Sequence, residues 1–510
     1  MALSNRNSRL AIMTESTEGT PVIPSGATDF IAVQDDISIT PNFNVLENAE
    51  LKGSIGMSKS IQGFEEPQFS FSHYLNHSGT EAALPEVDLL LKSLFGTSSV
   101  TSTEYDTVSS STAGTSAARA VINVDSGEGA SFERGEPLLI KSSANGYSIR
   151  PIYSIATDAL SLGFNLSAAP ASGVNLGKAQ LYKPANTGHT PLSLWHYVAN
   201  GGATQLLSGA QVTEAAININ AGELINVSYS GIGALYYLDP IVIDAADIYI
   251  DWTDDDGTFA ASITAKTYRS PHEVASALQT AMNDSASTET FTVTYSDSTG
   301  KFTIATVASS VFSILWNTGT NAANNIGDAI GFSVAANDTS ALTYTSDNAQ
   351  DWSSPYTPSL DGADPIAAKN IELTLGSFSD YSCIQDGVQS ATITVAVEKI
   401  KPGDLCQESG RGASIPNKRT VTVDIVAVLK QHDAKDWSRF LNNTSHSFMF
   451  NFGTKTAGNW DAGKCGCFYL PDCVITSISL DQSDGIVVMN LSVQAHVDNS
   501  SNGEVYLGFV

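Results

Sequence analysis

Thr420-Val421-Thr422-Val423-Asp424-Ile425, followed by Ala434-Lys435-Asp436-Trp437-Ser438-Arg439-Phe440-Leu441, Ser477-Ile478-Ser479-Leu480-Asp481 and Asn490-Leu491-Ser492-Val493, is the passage that decides the fold. It reads as strand, helix, strand, strand. Period-two alternation gives way to a short helical stripe of Trp437, Phe440 and Leu441 behind Asp433 as N-cap, and then returns. The same order stands in the first half of the chain. Pro67-Gln68-Phe69-Ser70-Phe71-Ser72 precedes Glu86 to Leu94, and then Ala216-Ile217-Asn218-Ile219-Asn220 runs to Asn226-Val227-Ser228-Tyr229. Val87, Leu90, Leu91 and Leu94 form an i, i+3, i+4, i+7 stripe, with Pro85 suited to a first turn. The expectation is a tandem of two related β domains, a device that builds symmetric assemblies from fewer chains.

Composition supports an all-β protein with a few short helices. Ser and Thr are frequent, the 40 glycines are scattered, and short alternating runs recur. The chain has 510 residues, room for three or four domains. Lys and Arg total 25 against 53 Asp and Glu, a net charge of −28. That excess disfavours a site attracting nucleic acid and favours mutual repulsion of free subunits. The five cysteines, Cys383, Cys406, Cys465, Cys467 and Cys473, are odd in number and imply no disulfide framework. The start shows no signal peptide, and no window is apolar enough to span a bilayer, so folding in a cytoplasm is expected.

Two segments interrupt the repeated pattern. Thr97 to Ala117 is Ser/Thr/Ala/Gly-rich and reads as a linker, after which Ala118 to Pro184 reads as a small barrel with a hairpin at Asn145-Gly146. From Asp239 to Gln350, two hairpins flank a helix opened by Ser270, Pro271 and Glu273, a capping box. The boundaries that follow are an N-terminal arm (1–29), a first β domain (30–96 plus 187–238), a linker and inserted barrel (97–186), an inserted ββαββ surface module (239–350), a linker (351–370) and a second β domain (371–510). Each β domain carries a long loop between its first two strands, roughly Asn48 to Gly63 with Lys52 and Lys59, and Ile400 to Pro416. Lys399, Lys401, Arg411, Lys418 and Arg419 cluster around the second. On so acidic a chain such a cluster is expected to serve as an inter-subunit contact or a solvated turn.

No reaction chemistry stands out, and an enzyme is not expected. Lys464-Cys465-Gly466-Cys467 has the wrong spacing for zinc and lacks a partner pair. Asp251, Asp254, Asp255 and Asp256 before Gly257 lack the alternating ligands and closing Glu of a calcium loop. The histidines, among them His73, His77 and His432, are dispersed. Catalytic, metal and cofactor sites are all read as none.

Ala11-Ile12-Met13-Thr14-Glu15-Ser16-Thr17-Glu18-Gly19-Thr20-Pro21-Val22, followed by the strand Phe30-Ile31-Ala32-Val33, resembles the opening of major tail tube proteins of long-tailed, siphophage-like bacteriophages. The long loop, single amphipathic helix and late hairpin resemble that family's tube domain, best over Gln389 to Val497. The resemblance implies duplicated tube-type β-sandwich domains carrying the two inserts, in a virion protein assembled in the host cytoplasm. It implies an inner sheet that joins neighbours into rings, and rings that stack into a hollow, non-contractile tail tube. The bore would hold tape-measure protein and then transiting DNA without specific binding, and an acidic lining would keep DNA from sticking. The long loops would reach the next ring, with Lys52, Lys59, Lys399, Lys401, Arg411, Lys418 and Arg419 as contacts. Two domains per chain imply a homotrimer of pseudo-sixfold symmetry rather than a hexamer. The inserts would project outward, and 239–350 would be removable without loss of assembly. The alternatives are a baseplate, distal-tail or fibre-associated protein, separated by copy number, and a carbohydrate-binding surface protein, which would need an export signal.

Overall fold

The computed structural model describes residues 4–50, 56–307, 310–360, 362–379, 387–429, 434–483, 485–497 and 503–510. Antiparallel strands dominate, and the α-helices among the described residues are Asp88–Phe95, Pro271–Asn283 and Ala434–Leu441. Asp433 lies outside the described residues, so its capping role does too. No helix of the described residues is long and apolar enough to cross a membrane.

Two long strands organise the molecule, Ala203–Asn220 and Asn459–Ser483. Each begins in an outer sheet and ends in an inner one. In the first, residues 203–210 pair with Leu192–Val198, and residues 211–218 pair with Asn226–Ile232. In the second, 459–473 pair with His446–Thr456, and 473–483 with Ile486–Ala495. The bend sits at irregularities that match residue for residue. Leu192 and Leu194 face Ala210 and Leu207, just as His446 and Phe448 face Cys473 and Leu470. Val212 and Glu214 face Gly231 and Ser230, just as Ile475 and Ser477 face Val493 and Ser492. Adding 263 carries one long strand onto the other (207 to 470, 210 to 473, 212 to 475, 214 to 477). The extra residue in each inner bulge is a threonine. Thr213 Oγ1 donates to the Ser230 carbonyl at 3.2 Å, and Thr476 Oγ1 to the Ser492 carbonyl at 3.2 Å. A bulge bends and twists its strand, which is what carrying one strand between two sheets requires.

The inner strands form one continuous antiparallel sheet. Its order is Ser38–Thr40, Gln68–Tyr74, Asn226–Ile232, the end of Ala203–Asn220, Val388–Ile400, Ile415–Val428, Ile486–Ala495 and the end of Asn459–Ser483. The first four strands belong to the first half of the chain and the last four to the second. The halves meet where Glu214–Asn220 pair with Ser390–Ala396. One face of this sheet is apolar: Phe69, Phe71, Val227, Tyr229, Ile217, Ile393, Val395, Val423, Ile425, Leu491 and Val493 are buried in one core. Helix Asp88–Phe95 fits that core because Leu90, Leu91, Leu94 and Phe95 point into it.

The inserts differ in how they are attached. Residues 105–176 supply a six-stranded sheet with a core of its own, including Ile122, Leu138, Ile152 and Leu160. Its other face packs on the outer sheet of the second half: Leu139, Ile149 and Phe164 bury Cys465, Cys467 and Tyr469. Gly96–Thr101, which composition reads as a linker, is a strand paired along its length with Ala179–Pro184. Main-chain hydrogen bonding sets this pairing, and small Ser/Thr side chains do not oppose it. Residues 241–345 form a separate body around Trp252, Phe291, Phe302, Phe312 and Trp316. Ser270 caps its helix, accepting from Glu273 N–H, and Pro271 opens it. Glu273 reaches back one residue beyond the capping box, to Arg269 N–H at 2.6 Å.

Cys465, Cys467 and Cys473 are free and buried, and burial pushes all three thiols up. Cys406 is free and exposed. Cys383 lies outside the described residues. Alkylation of the native protein, read peptide by peptide, is expected to modify Cys406 and spare Cys465, Cys467 and Cys473 until the chain unfolds. Labelling of any of those three in the folded protein would contradict this packing.

Candidate functional site

The face of the inner sheet opposite the core is open. Across it run Ser70, Ser72, Ser228, Ser230, Ala216, Asn218, Thr392, Thr394, Thr420, Thr422, Asn490, Ser492, Ser477 and Ser479, partnered row by row. Hydroxyls and amides bond across strands: Ser72 Oγ to Ser228 Oγ at 3.2 Å, Thr392 Oγ1 to Asn218 Oδ1 at 3.3 Å, Ser492 Oγ to Asp424 Oδ1 at 2.6 Å. Glu214, Glu398, Asp424 and Asp481 add carboxylates to this face, and Lys418 an ammonium. The observed face is mainly uncharged and hydroxylated, with a small acidic surplus, so most of the chain's negative charge lies elsewhere.

The sheet has two free edges. Among the described residues, Ser38–Thr40 pairs only with Gln68–Tyr74, and the stretch 474–483 only with Ile486–Ala495. An open edge as long as 474–483 is a hazard unless it is blunted or another chain covers it. Leu480 shows the cost directly, being 51% exposed, whereas Ile217, its counterpart under the offset of 263, is 5% exposed beneath the second half.

At one end of the inner sheet the long loops form two arms. Phe43–Leu46 and Ile61–Glu65 pair as a two-stranded ribbon. Val45, Leu46, Met57 and Ile61 on it are exposed, as are Ile400, Leu405 and Ile415 on the second arm. The second arm folds back through a Gly403–Arg411 bridge and lies against the first, with Arg411 over the Phe64 ring at 4.5 Å and paired with Glu66 at 3.3 Å.

The seven cations expected to make contacts separate by burial. Lys59 and Lys418 are exposed. Lys52 lies outside the described residues. Arg411 is half-buried and held by Glu66. Arg419 pairs with Glu504 at 2.7 Å and donates to the Ala185 carbonyl at 2.7 Å. Lys401 is enclosed, paired with Glu18 at 2.9 Å and donating to the Gly233 carbonyl at 2.7 Å. Lys399 is buried and donates to the Ser93 carbonyl at 3.0 Å, near the end of helix Asp88–Phe95. Burial pushes its ammonium down to about 7. Sequence reasoning missed the acidic partner of this network, Glu18, and its buried neighbour Glu15. Glu18 also accepts from Ser414 N–H and Oγ. Glu15 accepts from Ser193 Oγ at 2.7 Å and Gly209 N–H at 2.9 Å, and burial pushes its carboxyl up to about 7. Nothing local marks Glu18 as a partner, since it lies hundreds of residues from Lys401.

Asp254, Asp255 and Asp256 bring carboxylate oxygens within 4.8 Å of one another. Each also has a neighbour in the chain: Asp254 takes Ser287 Oγ at 2.6 Å, Asp255 takes Ser310 Oγ at 3.5 Å, and Asp256 takes Thr288 Oγ1. His73 is buried, its imidazole pushed down to about 4 by desolvation, and stacks on Tyr229.

No protein-family model and no curated protein matches the chain. Parts of solved tail structures are similar to it. The tail of an empty gene transfer agent particle, refined with C6 symmetry, is 18% identical over 27% of this chain and 94% of that one, with a TM-score of 0.20. A chain of the native gene transfer agent virion is 19% identical over 26% and 93%, with a TM-score of 0.19. The SPP1 tail tube is 13% identical over 26% and 75%, with a TM-score of 0.21.

The buried lysine sets a pH dependence. Unfolded, Lys399 keeps its proton to about pH 10.4, and folded only to about 7. Between those values the unfolded state binds more protons, so this group makes stability rise with pH. Glu15, with its folded value raised, acts in a lower window: its contribution is present below about pH 4.3 and is lost as pH rises through about 7. Lys399→Met is therefore expected to raise the urea midpoint at pH 7 and to flatten the rise between about pH 7 and 9.5. A variant less stable than the parent at pH 7 would show that the Ser93 hydrogen bond outweighs desolvation.

Proposed function

We propose that this chain is a structural subunit of a phage tail tube, three copies closing a ring whose inner wall is the open hydroxylated sheet. The carrying observation is the junction inside the chain. There the last inner strand of one half pairs with the first inner strand of the other, and the two edges left free are the same two kinds. A contact that joins unlike edges is heterologous and generates a ring when the rotation closes. Each chain supplies two equivalent sectors, so six sectors need three chains.

The register of the missing contact follows from the internal one. Glu214 faces Ala396, Ala216 faces Thr394 and Asn218 faces Thr392. The offset of 263 places Ser477, Ser479 and Asp481 at the positions of Glu214, Ala216 and Asn218. Ser38 pairs with Ser70 as Thr392 pairs with Asp424, and Ser70 and Asp424 face the matched serines Ser230 and Ser492. Thr40 therefore stands where Thr394 stands. Between copies, Ser479 meets Thr40 and Asp481 meets Ser38, and Leu480 is covered as Ile217 is. The mainly neutral lining, whose one named ammonium, Lys418, stands opposite Glu398, offers DNA neither a strong cationic anchor nor a strong repulsive barrier. The arms, with their exposed apolar side chains, meet the next ring. Lys59, Lys418 and half-buried Arg411 are the cations placed for contacts between copies, while Lys399, Lys401 and Arg419 act within the chain. At −28 per chain, added salt lowers the repulsion that opposes assembly.

Residues directly opposite in an antiparallel pair stand about 4.5–5.5 Å apart at Cα, within disulfide range. With Cys383→Ser and Cys406→Ser to remove the thiol outside the described residues and the exposed one, Ser479→Cys combined with Thr40→Cys is expected to give an oxidised ladder on denaturing gels that ends at three chains. A ladder reaching six would replace the trimer by a hexamer. No cross-link in assembled material would remove the edge pairing itself.

A further inference from the structure

The body formed by residues 241–345 meets the arms at its root. Arg269 immediately precedes the cap of helix Pro271–Asn283, and the chain fixes it there on both sides: Arg269 N–H donates to Glu273 at 2.6 Å, and its carbonyl accepts from Leu238 N–H at 3.1 Å. Its guanidinium leaves the body and reaches the base of the first arm. Nη2 donates to both oxygens of Glu65, at 2.6 and 2.7 Å, and Nε and Nη2 donate to the Tyr236 carbonyl at 3.1 and 2.8 Å. Glu65 is the last residue of the arm strand Ile61–Glu65 and is 3% exposed. It also accepts from Tyr236 N–H at 2.8 Å, and its own N–H donates to the Ser409 carbonyl of the second arm at 3.0 Å. Nη1 of Arg269 faces Glu408 of that arm at 3.5 Å. The neighbouring Glu66 is held from the opposite direction by Arg411 of the second arm.

We propose that the inserted body is a brace for the arms, acting through Arg269 as a positioning residue. Its forked guanidinium ties the base of the first arm to the sheet strand Leu235–Leu238 and to the second arm at once. Arg269 is the cationic partner of Glu65 among the described residues, and a buried carboxylate that loses such a partner carries a large desolvation penalty, so Glu65 cannot keep its place when Arg269 is gone. The sequence reading made 239–350 removable. The proposed brace argues against that expectation, because deletion would take Arg269 away from Glu65. The brace itself is independent of the tube reading, and only its consequence for stacking rests on that reading.

Hydrogen exchange on the full-length, unassembled chain tests it. Arg269→Met is expected to speed exchange of the amides in 61–65 by at least about tenfold while leaving helix Pro271–Asn283 and the inner sheet protected. Glu65→Gln, made from the arm side, is expected to give the same local pattern, and the exchange of charges in Arg269→Glu with Glu65→Arg to restore protection. Unchanged exchange in 61–65 in either single variant overturns the brace, as does loss of protection throughout the chain in both, which would make the pair a general fold determinant. Tubes that form normally from a variant with a loosened arm leave the brace standing and count instead against the arms as the stacking contact.

Discussion

Seven backbone pairs, Glu214–Asn220 against Ser390–Ala396, hold the two halves of this molecule in one sheet, and the remaining architecture depends on them. Each main-chain hydrogen bond contributes only about 1 kcal/mol net. Their effect is geometric rather than energetic. They fix the rotation from one half to the next, and a rotation that is applied once inside the chain also defines where a further copy would sit. The apolar face follows from the same pairing, since Ile217 and Ile393 come side by side in one core only in this register. A slip by one residue would turn those side chains to the open face and the serines and threonines inward.

The charge distribution has a comparable logic. A chain with 53 acidic and 25 basic residues has cations to spare only where they are needed. Around the arm roots they are spent on specific acceptors: Lys401 on Glu18, Arg411 on Glu66, Arg419 on Glu504, Arg269 on Glu65. Removing one member of an enclosed pair such as Lys401–Glu18 or Arg419–Glu504 is far costlier than removing an exposed surface charge. Lys399, with a carbonyl rather than a carboxylate as its bonded partner, is the exception, and its depressed ammonium is the physical sign of that. The open face, in contrast, satisfies itself through hydroxyl ladders and needs few charges.

The inserts show that interruption of a repeat does not mean independence from it. Residues 105–176 bury the outer sheet of the second half although they are inserted in the first, so the two halves are tied across the insert as well as through the inner sheet. Asn451 Nδ2 donates to the Ile149 carbonyl at 3.2 Å, and Glu372 takes Lys455 at 3.0 Å and faces Arg150 at 3.6 Å within that contact. The body at 241–345 keeps its own core, yet sends Arg269 into the arms.

Sequence by itself determined the all-β class, the helix under Val87 to Leu94 and the capped helix at Ser270, because period, caps and turns are local properties that the chain states wherever it goes. It also drew attention to Lys399–Arg419 as a cluster in need of an explanation. Tertiary structure alone decided what those cations do, because Glu18, Ser93, Gly233 and Glu504 come near them only after the sheet has formed. The same holds for Gly96–Thr101, whose composition promises a linker and whose backbone finds a strand partner in Ala179–Pro184. The bulges at Thr213 and Thr476 belong to both levels. Each threonine is in plain view in the sequence, but its meaning is a two-against-one mismatch with another strand, and pairing is a relation between segments that no single segment encodes.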